Sequence, residues 1–134
     1  MITTLMSARD AHRVIPAEWL HSARHAIEFA PPLLDRVGWN RCHPQRASGQ
    51  EPFDLHSVAT AIGFIATGPV CRVSVPRLSS YGLKHGAERW GDPGGFASYI
   101  GNGDMILAAL FCGVRMGKAN GANCAVALRY QEGG

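Results

Sequence analysis

Asp104-Met105-Ile106-Leu107-Ala108-Ala109-Leu110-Phe111-Cys112-Gly113 is the stretch on which the reading of this chain turns. Seven consecutive apolar residues, Met105 to Phe111, follow an aspartate. An aspartate there suits a helix N-cap. Its carboxylate can accept from free N–H groups of the first turn, and its charge suits the positive end of the helix dipole. Asn102-Gly103 just before it reads as a turn. Gly113 suits the C′ position, where the chain leaves a helix through the left-handed region. A helix with no polar face is normally buried. Residues 105–111 are therefore expected to be the central core helix, with Leu107 and Leu110 both in the packed interior.

Two short apolar runs follow, Val114-Arg115-Met116 and Cys124-Ala125-Val126-Ala127-Leu128-Arg129-Tyr130. The Asn- and Gly-containing segment 117–123 between them makes this a β-hairpin. Its polar tip is expected to project from the C-terminal end of the core helix. The competing reading, a helix over 119–128 entered by a helix-turn-helix, is disfavoured by Gly117 and Gly121.

Upstream of the core helix, Ser79 or Ser80 can cap a helix in which Leu83, Ala87 and Trp90 share the apolar face. Lys84, His85, Glu88 and Arg89 fall on its other side, with Lys84 and Glu88 spaced to pair. Gly82 and Gly86 are expected to admit a close neighbour, and Gly91 to Gly95 end the helix. Val70 to Val75 alternates strictly and reads as a strand stopped by Pro76. It is expected to pair with the hairpin as a three-stranded sheet, about the minimum for independent stability.

The N-terminal part is helical in pattern. Pro16 opens a helix with the stripe Trp19, Leu20, Ala23, Ile27 and Ala30, stopped by Pro31-Pro32. Residues 33–39 are expected to add a turn with Leu33, Val37 and Trp39 inward. Residues 40–52 are polar and turn-forming, long for a plain connector. Asp54 then caps a helix with the stripe Leu55, Val58, Ile62 and Ile65. The result is one α+β domain over 1–134. It is mostly helical, with a small antiparallel sheet at the C-terminal end. It divides into a helical segment 1–39, a polar loop 40–52, and a core of helices, strand and hairpin at 53–134. Trp19, Ile27, Leu55, Ile62, Leu83 and Trp90 are expected to pack the core helix.

At 134 residues the chain suits one domain. A net charge of +3 is a mild basic bias, too small for a dedicated nucleic-acid polycation. No apolar run approaches a membrane span. Residues 1–13 lack a secretory pattern, so the bacterial cytoplasm is the expected setting.

Sites of chemistry are scarce. Cys42, Cys71, Cys112 and Cys124 form no Cys-x-x-Cys, so reduced, mostly buried thiols are expected, with no metal and no cofactor. Cys42-His43 is adjacent on a loop, where two neighbours do not normally face one ion. His21 and His25 have ligand spacing on a helix but lack the glutamate of a metalloprotease motif. Tyr81, Lys84, His85 and Glu88 cluster within a turn and a half and could supply acid–base groups. No phosphate loop, nucleophile elbow or dinucleotide fingerprint accompanies them. The basic residues Arg72, Arg77, Lys84, Arg89, Arg115 and Lys118, with Asn120 and Asn123, lie in or beside the central stretch. This order, two helices then a basic hairpin, is similar to part of a winged helix. The helix before the hairpin carries no group that reads bases, however.

Tyr81-Gly82-Leu83-Lys84-His85 with Glu88, then Tyr99-Ile100-Gly101-Asn102-Gly103 and an alanine-rich apolar helix ending at Gly113, resembles part of a known group. Over about residues 79–128 the likeness is to small uncharacterised proteins of bacterial phages and plasmids. No activity is assigned to that group, so no catalytic residue carries over. The resemblance implies a mobile genetic element, whose small proteins act as DNA-handling accessories or as inhibitors of host defence. The expectation is a non-enzymatic macromolecule-binding protein, with nucleic acid as partner. The alternative is an anti-CRISPR-like inhibitor of a host protein complex. A small enzyme using Lys84, His85 and Glu88 ranks third. The binding face is assigned to Lys84, His85 and Arg89 together with Arg115, Lys118 and Asn120.

Overall fold

In the structure, a computed structural model, residues 15–39, 51–97 and 99–131 are described. Helix α1, Ala17–Glu28, starts after Pro16, which occupies the N-cap position. Its buried positions are Ala23 and Ala26, with Trp19, Leu20 and Ile27 packed partly against the core. The segment 33–39 forms no helical turn. It makes a two-residue ladder of β1, Leu34–Asp35, and β2, Gly38–Trp39. Leu34 and Asp35 are buried while Leu33 and Val37 point outward, against expectation; Trp39 packs partly against the core, as expected. Asp35 decides this. Its Oδ1 accepts from the Val37 and Gly38 N–H groups, so its side chain closes a turn in place of a helix.

Helix α2, Leu55–Thr67, is capped by Asp54, whose carboxylate accepts from the Ser57 N–H at 2.9 Å. Every residue from Ser57 to Ile65 is buried. It packs on α1 and on the two later helices, α3 (Ser80–Gly91) and α4 (Asn102–Phe111). The expected single stripe on α2 is thus too narrow. This helix shares the centre of the molecule with α4. Trp19, Phe64, Trp90 and Phe96 form an aromatic cluster over it, with ring centroids 5.6 to 6.0 Å apart.

Helix α4 begins earlier than expected. Gly101 is its N-cap and Asp104 lies in the first turn, with Oδ2 accepting from the Gly101 N–H at 2.8 Å. Asp104 therefore caps from inside the helix, as the acidic member of a capping box does. Gly103 could carry no side chain. A Cβ there would lie 1.6 Å from the Asp35 carbonyl oxygen, because the β1–β2 turn rests on this end of α4. Met105 to Ala109 are buried, but Leu110 and Phe111 are 37% and 41% exposed. The last turn of α4 lies at the rim beside His25 of α1 and Phe29 just after it, and the expected all-round burial stops at Ala109.

Helix α3 is capped by Ser79, whose hydroxyl accepts from the Tyr81 N–H. Gly86 admits a close neighbour, the Tyr130 hydroxyl, while nothing approaches Gly82. Lys84 is not on the solvent side as expected. It is 6% exposed, folded back onto Glu88.

The strands follow from two turns of the chain. After Gly113, at φ +71°, β5 (Met116–Asn120) and β6 (Asn123–Val126) form the hairpin, and β7 (Leu128–Tyr130) continues it. The expected strand 70–75 is shorter. Strand β3, Val70–Arg72, pairs with β7, and β4, Leu78–Ser79, pairs with β6. Pro76, which has no N–H to donate, falls in the interruption. The sheets are β3-β7 and β4-β6-β5, both antiparallel.

The hairpin tip does not project from the C-terminal end of α4. Its five-residue strand β5 runs back beside the ten-residue helix. Five strand residues span about 17 Å and ten helical residues about 15 Å, so the tip reaches the helix N-terminus. There the Ala122 carbonyl accepts from the Trp39 N–H and from Asn102 Nδ2. The molecule is one compact α+β domain, with helical and β parts sharing the core around Phe64, Leu83, Ile106 and Val126.

Candidate polyanion-binding surface

Two groups of polar side chains stand out. The first surrounds the start of α4 and the exposed face of α3. Lys84 Nζ lies 3.0 Å from Glu88 Oε2 and His85 Nδ1 lies 3.1 Å from Glu88 Oε1. Glu88 Oε2 also accepts from the Ile100 N–H at 2.9 Å. Burial alone would raise the Glu88 pKa. The Ile100 N–H, Lys84 and His85 together outweigh it and hold Glu88 below the usual carboxylate value. Tyr81 meets the His85 ring edge-on at 4.7 Å, and Lys84 Nζ sits 4.7 Å from the Tyr99 ring centre. Arg36 contacts the same tyrosine ring at 4.9 Å. It also pairs with Asp104 at 2.8 Å and donates to Ser57 Oγ at 3.0 Å. Ser57 Oγ in turn donates to the Tyr99 carbonyl. Every charge here has an internal partner, so the group ties α2, α3, α4 and the β1–β2 turn together.

The second group is the reverse. The segments that carry Arg72, Arg77, Arg115 and Arg129 meet at the bend between β6 and β7. The Arg77 N–H donates to the Val126 carbonyl, and the Arg115 carbonyl accepts from the Ala127 N–H. Arg72 stands opposite Leu128 in the ladder, beside Arg129. All four are exposed, and none has a carboxylate partner among the described residues. Arg72 donates to the Cys112 carbonyl at 2.7 Å, Arg115 to the Ser74 carbonyl at 3.5 Å, and Arg129 to the Tyr130 carbonyl at 3.4 Å. These bonds use one donor each of the five a guanidinium carries.

The sequence explains the asymmetry. Segments 55–87 and 105–131 hold Arg72, Arg77, Lys84, Arg115, Lys118 and Arg129 and not one Asp or Glu. Strands β3 to β7 all lie within them. A net charge of +3 hides this segregation, because all ten acidic residues lie outside these two segments.

The six residues assigned to the binding face are therefore divided. Arg115 belongs to the arginine group and Lys118 lies on β5, exposed. Asn120 is exposed near the hairpin tip, at the opposite end of α4. Arg89 is exposed on α3, Lys84 is buried in its ion pair, and His85 is held by Glu88. Missing from the assignment were Arg72 and Arg77, named only as part of the basic stretch, and Arg129. The signal that finds them is the long absence of acidic residues.

Among the described residues no group of three or more His, Cys, Asp or Glu is placed to hold a metal ion. His25 packs against Phe29 and Phe111. Cys42-His43 lies outside the described residues, as does most of the 40–52 loop. Cys71, Cys112 and Cys124 are free thiols. Burial pushes Cys112 and Cys124 above the ordinary thiol value, opposed by Arg72 at the first and by Trp39 and Ser80 at the second. They are poor nucleophiles for that reason. No helix of the described residues is long and apolar enough to cross a membrane. In comparisons with known proteins, no family model, no curated protein and no solved structure matches the chain.

Proposed function

We propose that this chain is a small, non-enzymatic binding protein whose β side engages a polyanion, nucleic acid above all. The observation that carries this reading is that the segments bearing Arg72, Arg77, Arg115 and Arg129 meet at one bend, with no acidic residue in any of the five strands β3 to β7. Guanidinium groups pair with phosphate oxygens through two parallel N–H donors, and such contacts hold a nucleic acid without reading its sequence. The cytoplasmic setting and the mobile genetic element follow from the sequence reading and the resemblance. Lys84, His85 and Glu88 satisfy one another, which supports leaving them out of catalysis.

The test is fluorescence anisotropy of a labelled oligonucleotide over a range of salt. Each phosphate neutralised contributes about −0.9 to the slope of log K against log salt. Engagement by this surface predicts a slope between about −2 and −4. No binding at low salt, or binding indifferent to salt, overturns the reading.

A second reading, an inhibitor docked on a host protein complex, is favoured by a different observation. Phe29, 69% exposed, lies with Pro31, Leu110 and Phe111 along a groove of about 330 Å³. That reading expects a stoichiometric complex that survives high salt and is lost in Phe111→Ser.

A further inference from the structure

The two ladders on either side of Ala127 do not run continuously. Arg72 pairs with Leu128 and Leu78 pairs with Val126. The five residues 73–77 therefore stand against the single residue Ala127. The chain leaves one sheet after β3 and enters the other at β4, so 73–77 is a connection outside both ladders. Here the connection opens a cavity of about 300 Å³, at the small end of ligand sites. One wall is Arg72 at the end of β3 with Val73 and Ser74 of the connection. The other is Gly113, Val114 and Arg115 from the turn after α4, with Ala127 as floor.

We infer that this cavity seats a single phosphate group of the polyanion, held between the guanidinium groups of Arg72 and Arg115. The inference rests on the polyanion reading and names the place where one phosphate is fixed. The two arginines approach from separate segments, and each spends one donor on a backbone carbonyl that orients it. The Arg72 bond has a further effect. It covers the Cys112 carbonyl at the negative end of the α4 dipole, which would otherwise repel an anion there. Ser74 adds a hydroxyl to the lining. No carboxylate lines the cavity, and none occurs within 105–131 or 55–87. Phosphate is the class this recognises: a compact tetrahedral anion able to accept from two planar forks at once.

The source of the phosphate separates in two arms. A labelled oligonucleotide is titrated against wild type, Arg115→Gln, Arg72→Gln and Arg24→Gln. The last removes one exposed positive charge from α1 and controls for net charge. Inorganic phosphate is titrated against the same proteins by NMR chemical shift of the Gly113 and Ser74 amides. Arg115→Gln is the decisive variant, because its bond to Ser74 is long and its loss leaves the α4 cap intact. Its melting temperature is checked first. The expected result is a roughly tenfold loss of oligonucleotide affinity at low salt, with the salt slope reduced by about one. Arg72→Gln should match it and Arg24→Gln should not. If the oligonucleotide binds wild type but Arg115→Gln loses no more than Arg24→Gln, the cavity holds no phosphate while the polyanion reading stands. If only inorganic phosphate binds, shifting Gly113 and Ser74 in wild type and not in Arg115→Gln, the phosphate site stands and the nucleic-acid reading falls. Binding of neither overturns both.

Discussion

Asp104 has no exposed surface, yet it accepts from the Gly101 N–H and Arg36 Nε at 2.8 Å and from the Asp54 N–H at 3.3 Å. Burial raises its pKa to about 6, against the pull of Arg36 and the two N–H donors. A carboxyl whose pKa is raised by folding favours the folded state below its unfolded value. That contribution is lost as pH rises through the folded value, so here it fades between about pH 4 and pH 6 and is gone by pH 7. Asp54 is half-buried, but its bonds from Ser57 and the nearby Arg36 outweigh that burial and hold it below the usual carboxylate value. Asp54 and Glu88 run the other way: held below their ordinary values, they stabilise the fold above those values and lose that stabilisation as pH falls through their folded values. Denaturant unfolding of wild type and Asp104→Asn at pH 7 and pH 5 should show the stability advantage of wild type growing by about 1 kcal/mol at the lower pH. An advantage that shrinks on acidification would mean that Asp104 stays ionised and that its ion pair dominates.

At the level of single elements, α4 behaves as two halves. Leu107 is buried and packs in the core, while Leu110 lies on the rim. Leu107→Ala should destabilise by about 2 to 5 kcal/mol and Leu110→Ala by clearly less. Equal shifts in the denaturation midpoint would show that the rim is filled. The apolar run alone could not make this distinction, because hydrophobicity records that a helix needs cover and not where its neighbours end. The same limit explains other differences. The helices over 17–28, 55–67 and 80–91 were legible from periodicity and from the caps Asp54 and Ser79. The β1–β2 turn was not, because a side-chain bond from Asp35 overrides a helix-like spacing. Lys84 was read as solvated because spacing assigns a face, whereas its partners Glu88 and Tyr99 decide its burial. Of the candidate surface, Arg115 was assigned. The segments of the other three arginines meet only through strand register, which spans the bend at Ala127.

For the molecule as a whole, the joint at Asn102 matters most. Its Nδ2 faces the Val37 and Ala122 carbonyls and Asn123 Oδ1, at 2.9 to 3.2 Å. One buried amide thus joins the β1–β2 turn, the hairpin tip and the start of α4. Asn102→Asp keeps the shape but sets an oxygen against three acceptors. We expect it to cost about 2 to 4 kcal/mol, measured by thermal or urea unfolding near neutral pH. A change below about 0.5 kcal/mol, the scale of an ordinary surface substitution, would remove the joint from this account. The tryptophans divide along the same lines. Trp19 and Trp90 lie 6.0 Å apart with planes 37° from parallel, over α2, whereas Trp39 meets the hairpin tip and bonds Cys124. At that separation the strong far-ultraviolet transitions of the two indoles couple and give a paired circular dichroism band. The third indole, beyond that pair, contributes its own fluorescence. The fold thereby carries two unlabelled optical reporters, one for the joining of α1 to α3 and one for the seating of the hairpin. The order in which the two halves come together can be timed by light alone.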